Sequence, residues 1–262
     1  MRLDRFGPES SGSNRTAVLR PQQPVAHAHA VSERGPSPSG LGLDSSHVRQ
    51  RMTDRLRASG IVHAGVLGAM GAVSRHAFVD AALVTQAYED TSLPIGHGQT
   101  ISKPSVVARM IELLCGGVNA RQAGGVGNVL EIGTGCGYQA AVLARLARQV
   151  ISVERVKALH DKARELLAPT RTYNLRLVYG DGMLGHAPNA PYDSIISAAG
   201  GAELPEAWLA QLAIGGRLVS PVQEPGSGSR QVLVVVDRTE AGFDRSVCEA
   251  VQFVPLKSGR IR

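Results

Sequence analysis

Cysteine is scarce in this chain: three residues in 262, Cys115, Cys136 and Cys248, odd in number and far apart. Such spacing provides neither a disulfide framework nor the paired ligands of a zinc site, so reduced thiols and no metal are expected. Long apolar runs are missing too. No stretch approaches the roughly 18 to 20 uninterrupted apolar residues of a membrane span, and the N-terminus lacks the apolar core of a secretory signal. A cytoplasmic protein without membrane contact is the expectation. Aromatic residues make up only 4% of the chain and do not interleave with basic ones as they do on nucleic-acid binding surfaces. The formal charge of +6 would permit anionic partners, but much of the basic excess is Arg within the first sixty residues, so no nucleic-acid partner is expected. What the chain does have is 43% apolar side chains, enough to bury a full core in one or two domains.

Residues 1–45 are rich in Ser, Gly, Pro and Arg, as in "RFGPESSGSNR" and "VSERGPSPSGLG", with no sustained apolar period. A segment of that composition does not offset its ordering entropy, which predicts a disordered tail. Met52 is an alternative start for the chain. A single domain is expected over residues 46–262, helical over 46–120 and α/β over 121–262. "SSHVRQRMTDRLRASG", "AGVLGAMGAVSRHAF" and "PSVVARMIELLCGG" carry the spacing of helices, the last opened by Pro104 and closed by Gly116 and Gly117. Between the second and third lies "EDTSLPIGHGQTISKP", Glu89 to Pro104, too punctuated by Pro and Gly to predict a regular element.

The pattern then alternates. "NVLEIG", "QVISVE", "LRLVYG", "YDSIISAA" and "GRLVSPV" read as strands, with helices at "YQAAVLARLAR", "RVKALHDKARELLA" and "PEAWLAQLA" between them. Strands that are continuous apolar runs predict a parallel sheet covered on both faces. "RQVLVVVDRT" and "EAVQFVPL", joined by the turn-like "EAGFDRS", complete seven strands with an antiparallel hairpin at the edge.

"VLEIGTGCGYQAA" places Gly133, Gly135 and Gly137 between a strand and a helix, where glycine lets the chain turn and lets backbone approach a ligand. The spacing is not the Gly-x-Gly-x-x-Gly of dinucleotide enzymes, and the Lys and Ser/Thr of a phosphate-binding P-loop are absent. Three acids narrow the ligand. Glu131, just before the turn, would repel a phosphate and favour a cationic group. Glu154, ending the next strand, is placed to accept from ribose hydroxyls. Asp181 follows the third strand, where it could accept from an adenine amino group while Gly182 leaves room for the ring. A ribose, an adenine and a cationic end without phosphate describe S-adenosyl-L-methionine, and the chain resembles a class I methyltransferase.

Within that class the loop is the distinguishing feature. "AYEDTSLPIGHGQTISKPSVVARMIELL" resembles the N-terminal region of the protein-L-isoaspartate (D-aspartate) O-methyltransferase family, and agreement continues through "GDGMLGHAPNAPYDSIISAAG" and "LPEAWLAQLAIGGRLVSPV", over about residues 50–256. The resemblance implies a doubly wound, mostly parallel, Rossmann-like α/β sheet. It also implies a protein-repair enzyme, a monomer, whose partners are isoaspartyl-containing proteins and peptides. Such an enzyme methylates the free α-carboxylate of L-isoaspartyl residues and, more weakly, D-aspartyl residues. Ser102 is implied as the active-site hydroxyl that holds the substrate carboxylate. Gln99, Thr100, Gly133, Thr134, Gly135, Gly137 and Gly182 are implied on the cofactor's wall with the three acids, and Ile101 packs inward. Lys103 stands where Gln or Ala is usual, Ser197 replaces Thr, and "VSPVQ" replaces a segment ending in Gly; none of these removes a chemical group. His97 is read as shaping the loop, Cys136 as a small filler, and Tyr192 and Asp193 as structural. The rival readings are a class I methyltransferase of a small molecule or nucleic acid, an inactive cofactor-binding protein, and a nicotinamide-dependent oxidoreductase.

Overall fold

Apolar side chains at helical spacing shape the first third of the described chain. In the computed structural model, which describes residues 46–224, 226 and 230–261, helix α1 (Ser46–Ala58) buries Met52 and Leu56, four apart. The expected tail over residues 1–45 lies outside the described residues. Helix α2 (Ala64–Ala72) buries Val66, Leu67, Ala69 and Met70, and α3 (Pro104–Cys115) buries Val107, Met110, Ile111 and Leu114. These stripes pack the three helices on one another.

The segment read as an irregular loop is more ordered than that. Leu93–Gly96 (β1) pairs antiparallel with Gln99–Ile101 (β2) in a two-stranded hairpin. Leu93, Ile95 and Ile101 point into the core while Pro94, Gly96 and Thr100 face out. The period-two alternation was present in the sequence but masked by its Pro and Gly. The tip is His97 and Gly98, both with positive φ (55° and 67°), the conformation a tight two-residue hairpin turn demands.

After a short helix α4 (Val118–Ala123), seven strands form one sheet: β3 (Gly127–Ile132), β4 (Ala147–Glu154), β5 (Leu175–Tyr179), β6 (Tyr192–Ser197), β7 (Leu212–Gln223), β8 (Gln231–Thr239) and β9 (Gly242–Val251). Their order is β5-β4-β3-β6-β7-β8-β9, with β3 to β7 parallel and the last two added antiparallel. Helices α5 (Tyr138–Ala144), α6 (Lys157–Leu167) and α7 (Glu206–Gln211) connect the parallel strands. On β3, Val129 joins the core shared with α1 to α3, whereas Leu130 and Ile132 join the opposite core around Trp208. On β8, Leu233 and Val235 divide from Val232, Val234 and Val236 in the same way. The sheet is therefore buried on both faces, the reason its strands read as unbroken apolar runs.

Several boundaries move from those the sequence predicts. The second helix, expected through Phe78, stops at Ala72 and a 3-10 turn follows over Arg75–Phe78, and the last strand, expected through Leu256, ends at Val251. Helix α5 stops at Ala144, and Ala147 already pairs with Gly127 as β4 begins. Strand β7 starts at Leu212, not at Gly216. The turn before the last strand is Glu240-Ala241 alone, so "FDRS" belongs to β9, with Thr239 opposite Gly242 and Arg238 opposite Phe243. An edge strand largely exposed along its length carries the polar residues of a turn, which hid it. Gln223, where the family resemblance expects Gly, sits in the β7–β8 ladder opposite Gln231 and needs no left-handed backbone.

Candidate active site

Strand β3 has β4 on one side and β6 on the other, so the connections leave it in opposite directions and open a crevice at the strands' C-terminal ends. The glycine turn lies there. Gly133, Gly135 and Gly137 all hold positive φ (89°, 56° and 90°), which L side chains rarely adopt. A Cβ on Gly137 would lie 2.8 Å from Leu167, and one on Gly135 would lie 3.1 Å from Ile95 of the hairpin. Gly137 thus serves the packing of α5 on α6, while Gly135 lets the hairpin lie close against the turn.

A cavity of ≈ 480 Å³ fills the crevice. Gln99, Thr100, Ile101 and Ser102 line it from the hairpin, and Gly133, Thr134, Gly135, Glu154 and Gly182 line it from the sheet. Sequence-assigned residues from two distant segments therefore face one space. Ile101 packs inward, 4% exposed. Among the described residues the Ser102 hydroxyl has no hydrogen-bond partner; its backbone carbonyl accepts from Arg75. A second cavity, ≈ 610 Å³, shares Thr100, Ser102, Ala198 and Val254 with the first and continues past Lys103, Val251 and Phe253.

Of the three acids expected to converge, only Glu154 lines the cavity. Its Oε2 accepts from the Gly135 N–H at 2.9 Å and its Oε1 from the Val156 N–H at 2.9 Å. The Gly135 amide, which a pyrophosphate-binding turn would offer to phosphate, is spent on a carboxylate. Each Glu154 oxygen retains a lone pair, the chemistry a pair of ribose hydroxyls requires. Beside it, Ile132, Val153, Val156 and Leu159 provide an apolar wall. These groups fit a nucleoside without phosphate.

Glu131 lies behind the wall, fully buried. Ser152 Oγ donates to its Oε2 at 2.5 Å, and Thr134 Oγ1 is 2.6 Å from the same Ser152 oxygen. Burial pushes the Glu131 carboxyl up to about 8 against the opposing hydrogen bond from Ser152, so its protonated form is favoured at neutral pH, and its Oε1 has no hydrogen-bond partner among the described residues. Asp181 also stands outside the cavity lining: Oδ1 accepts from the Met183 N–H at 3.0 Å and Oδ2 from the Gly259 N–H at 2.6 Å.

That last contact belongs to a C-terminal strap whose Val254, Pro255 and Leu256, expected as the end of the last strand, lie beyond β9 and were not expected at the site. Val254, Pro255, Leu256, Lys257 and Ile261 line the cavity. Arg155 holds the strap through the carbonyls of Ser258 and Gly259 (2.8 and 2.9 Å), and Ile261 pairs with the backbone of Arg155 and Lys157. "VPLKSGRI" offers no chemical motif, so no local signal marks it.

The remaining expectations concern single residues. Cys136 is buried in the cavity wall and its thiol is pushed up to about 11 by desolvation, so it carries no thiolate at neutral pH. His97 sits at the exposed hairpin tip. Asp193 accepts from Asn119 (3.0 Å) and from the Asn128 N–H (2.8 Å), and the Tyr192 hydroxyl donates to the His186 carbonyl (2.7 Å), all away from the cavity. Among the described residues, no group of three or more His, Cys, Asp or Glu is placed to hold a metal ion.

The model of the protein-L-isoaspartate(D-aspartate) O-methyltransferase family matches residues 47–261. The chain belongs to this family. A curated protein-L-isoaspartate O-methyltransferase of Methylibium petroleiphilum is 60% identical over 260 residues, covering 99% of this chain and 95% of that one. That alignment takes in residues ahead of Met52. A solved protein-L-isoaspartate O-methyltransferase superposes with a TM-score of 0.71 at 26% identity, covering 81% of this chain and 67% of the other. A Plasmodium falciparum structure given the same name, in complex with S-adenosyl-L-homocysteine, superposes with a TM-score of 0.65 at 25% identity, covering 80% and 98%.

Proposed function

We propose that this chain performs the reaction of its family: it transfers a methyl group from S-adenosyl-L-methionine to the free α-carboxylate of isoaspartyl residues in damaged proteins and peptides. The observation that carries the reading is the single cavity in which the Ser102 hairpin faces the glycine turn and Glu154. S-adenosyl-L-methionine, when bound, supplies an electrophilic methyl on a sulfonium that leaves as a neutral thioether.

The chain's own residues need only bind, orient and exclude water. A carboxylate with an ordinary pKa of about 3.5 is already an anion at neutral pH, so no general base is required. Neither neutral Glu131 nor protonated Cys136 is called on for one. Glu154, with Gly133, Thr134 and Gly135, holds the sugar and the amino-acid portion of the donor, and Gly182 leaves space for the base. Asp181, outside the cavity lining, fixes the turn beside Gly182 through the Met183 N–H and the strap through the Gly259 N–H. Gln99 and Thr100 close the wall, and Ser102 donates its free hydroxyl to one oxygen of the incoming carboxylate, leaving the other to attack in line. The second cavity, lined by Lys103 and Val106 on one side and by Val251 and Phe253 on the other, would carry the peptide on either side of the damaged residue, so both residues 46–120 and 121–262 would contribute to the substrate's side. Among the described residues no helix is long and apolar enough to cross a membrane. Separately, on the composition and charge distribution of the chain, we propose a cytoplasmic monomer with no nucleic-acid partner.

The test uses methyl-labelled donor and a matched pair of peptides, one isoaspartyl and one aspartyl. Label in the isoaspartyl peptide alone, released as methanol by mild base, is expected. Equal labelling of both peptides, or base-stable label, contradicts the reading.

A further inference from the structure

Arg75 is fully buried, yet it makes no ion pair among the described residues. The acid whose charge reaches it, Asp90, has both oxygens committed to Ser105, at 2.8 Å to the N–H and 2.7 Å to the hydroxyl. Arg75 instead spends its donors on carbonyls: Nε on Ala87 at 2.7 Å, and Nη2 on Ser102 at 2.7 Å and, more weakly, on Thr91 at 3.4 Å. Its Nη1 is buried without a partner. The guanidinium carbon lies over the ring of Tyr138, 4.8 Å from the centroid, and Tyr138 is the first residue after the glycine turn and lines the cavity.

Stability alone does not account for this arrangement. A buried cation without a counter-charge and with an unsatisfied donor is a net cost, which an apolar side chain of similar volume would avoid. The guanidinium does have what no apolar residue offers: a rigid planar fork that reaches several carbonyls in different directions while its charge lies over an aromatic ring. Three of the things it touches are the chain leading into the hairpin, the residue carrying the free hydroxyl, and the residue opening the helix on the cofactor side.

We propose that Arg75 is a positioning residue for methyl transfer: it clamps the backbone of Ser102 against Tyr138 and so fixes the Ser102 hydroxyl relative to the cofactor's side of the cavity. The inference rests on the role given to Ser102 above, and the experiment separates the two. Arg75→Lys keeps the charge but replaces the fork with a single point that cannot hold Ala87 and Ser102 together. Its kcat/KM for an isoaspartyl peptide, its affinity for S-adenosyl-L-homocysteine by calorimetry, and its thermal unfolding are measured alone and combined with Ser102→Ala. The clamp predicts a folded Arg75→Lys protein with cofactor affinity within about twofold of the parent and kcat/KM lowered about ten- to a hundredfold, the loss falling in kcat. In the Ser102→Ala background the same change should cost less than about threefold, because the group being positioned is gone. Equal cost in both backgrounds overturns the clamp, as does unaltered turnover of Arg75→Lys. An Arg75→Lys protein that fails to fold or to bind the cofactor also counts against it, since Arg75 would then serve only the core. If Ser102→Ala itself turns over like the parent, the reading of Ser102 has failed, whatever Arg75 does.

Discussion

In the proposed reaction Ser102 is the residue on which donor and acceptor meet. Its hydroxyl is free among the described residues while its carbonyl is held, the state expected of a donor reserved for a ligand. Ser102→Ala should lower kcat for isoaspartyl methylation by about tenfold or more, with cofactor affinity by calorimetry essentially unchanged. Normal turnover at saturating cofactor would remove Ser102 from the mechanism. Glu131 makes a different kind of prediction. Its folded-state value of about 8 lies above its ordinary 4.5, so between those limits the folded protein holds a proton that the unfolded chain has lost. Its contribution to stability is thus complete below about pH 4.5 and is lost as pH rises through about 8. Glu131→Gln, neutral at every pH, should gain in melting temperature relative to the parent as pH is raised from 5 to 8 without cofactor. A Tm difference that stays constant across that range contradicts a buried, protonated Glu131.

At the scale of elements, the hairpin is where sequence and structure parted most usefully. Its residues were assigned to the site from "PIGHGQTIS", but its strands were not, because Pro and Gly suppress the propensity signal while the alternation of Leu93, Ile95 and Ile101 persists beneath. His97, at φ 55°, is a turn residue by conformation. Replacement by Asn, which tolerates that region, should leave kcat/KM within about twofold, whereas the β-branched Val should destabilise the protein by about 1–2 kcal/mol on thermal unfolding. A large fall in turnover for His97→Asn would instead make the imidazole part of the chemistry. Strand β9 shows the reverse difficulty: alternation is absent because the strand is mostly exposed, so its polar start passed for a turn.

For the molecule as a whole, what was legible follows from what is local. The strand-turn-helix around Gly133, the acid ending β4 and the hairpin signature are each contiguous stretches with a physical reason for every residue type. Contacts made across long separations left no such trace. Arg75, a lone cation in "AVSRHAF", acquires its meaning only when Ser102 and Tyr138 arrive from 27 and 63 positions away. The strap over Asp181 comes from residues 254–261, whose sequence is unremarkable until the chain brings it back to β4 and β5. Even the acids were legible by position but not by exposure: residue spacing placed Glu131, Glu154 and Asp181 at one end of the sheet, and side-chain direction then put Glu131 in the core.

The proposed function requires the hairpin and the glycine turn to be two walls of one methyl-transfer site. A crystal structure with S-adenosyl-L-homocysteine and an isoaspartyl peptide measures this directly. The account predicts the sugar hydroxyls on Glu154 and an α-carboxylate oxygen of the isoaspartyl residue about 2.7 Å from Ser102 Oγ, with the other oxygen turned toward the sulfur. A peptide carboxylate held elsewhere, with Ser102 Oγ facing solvent or the nucleoside, would contradict it.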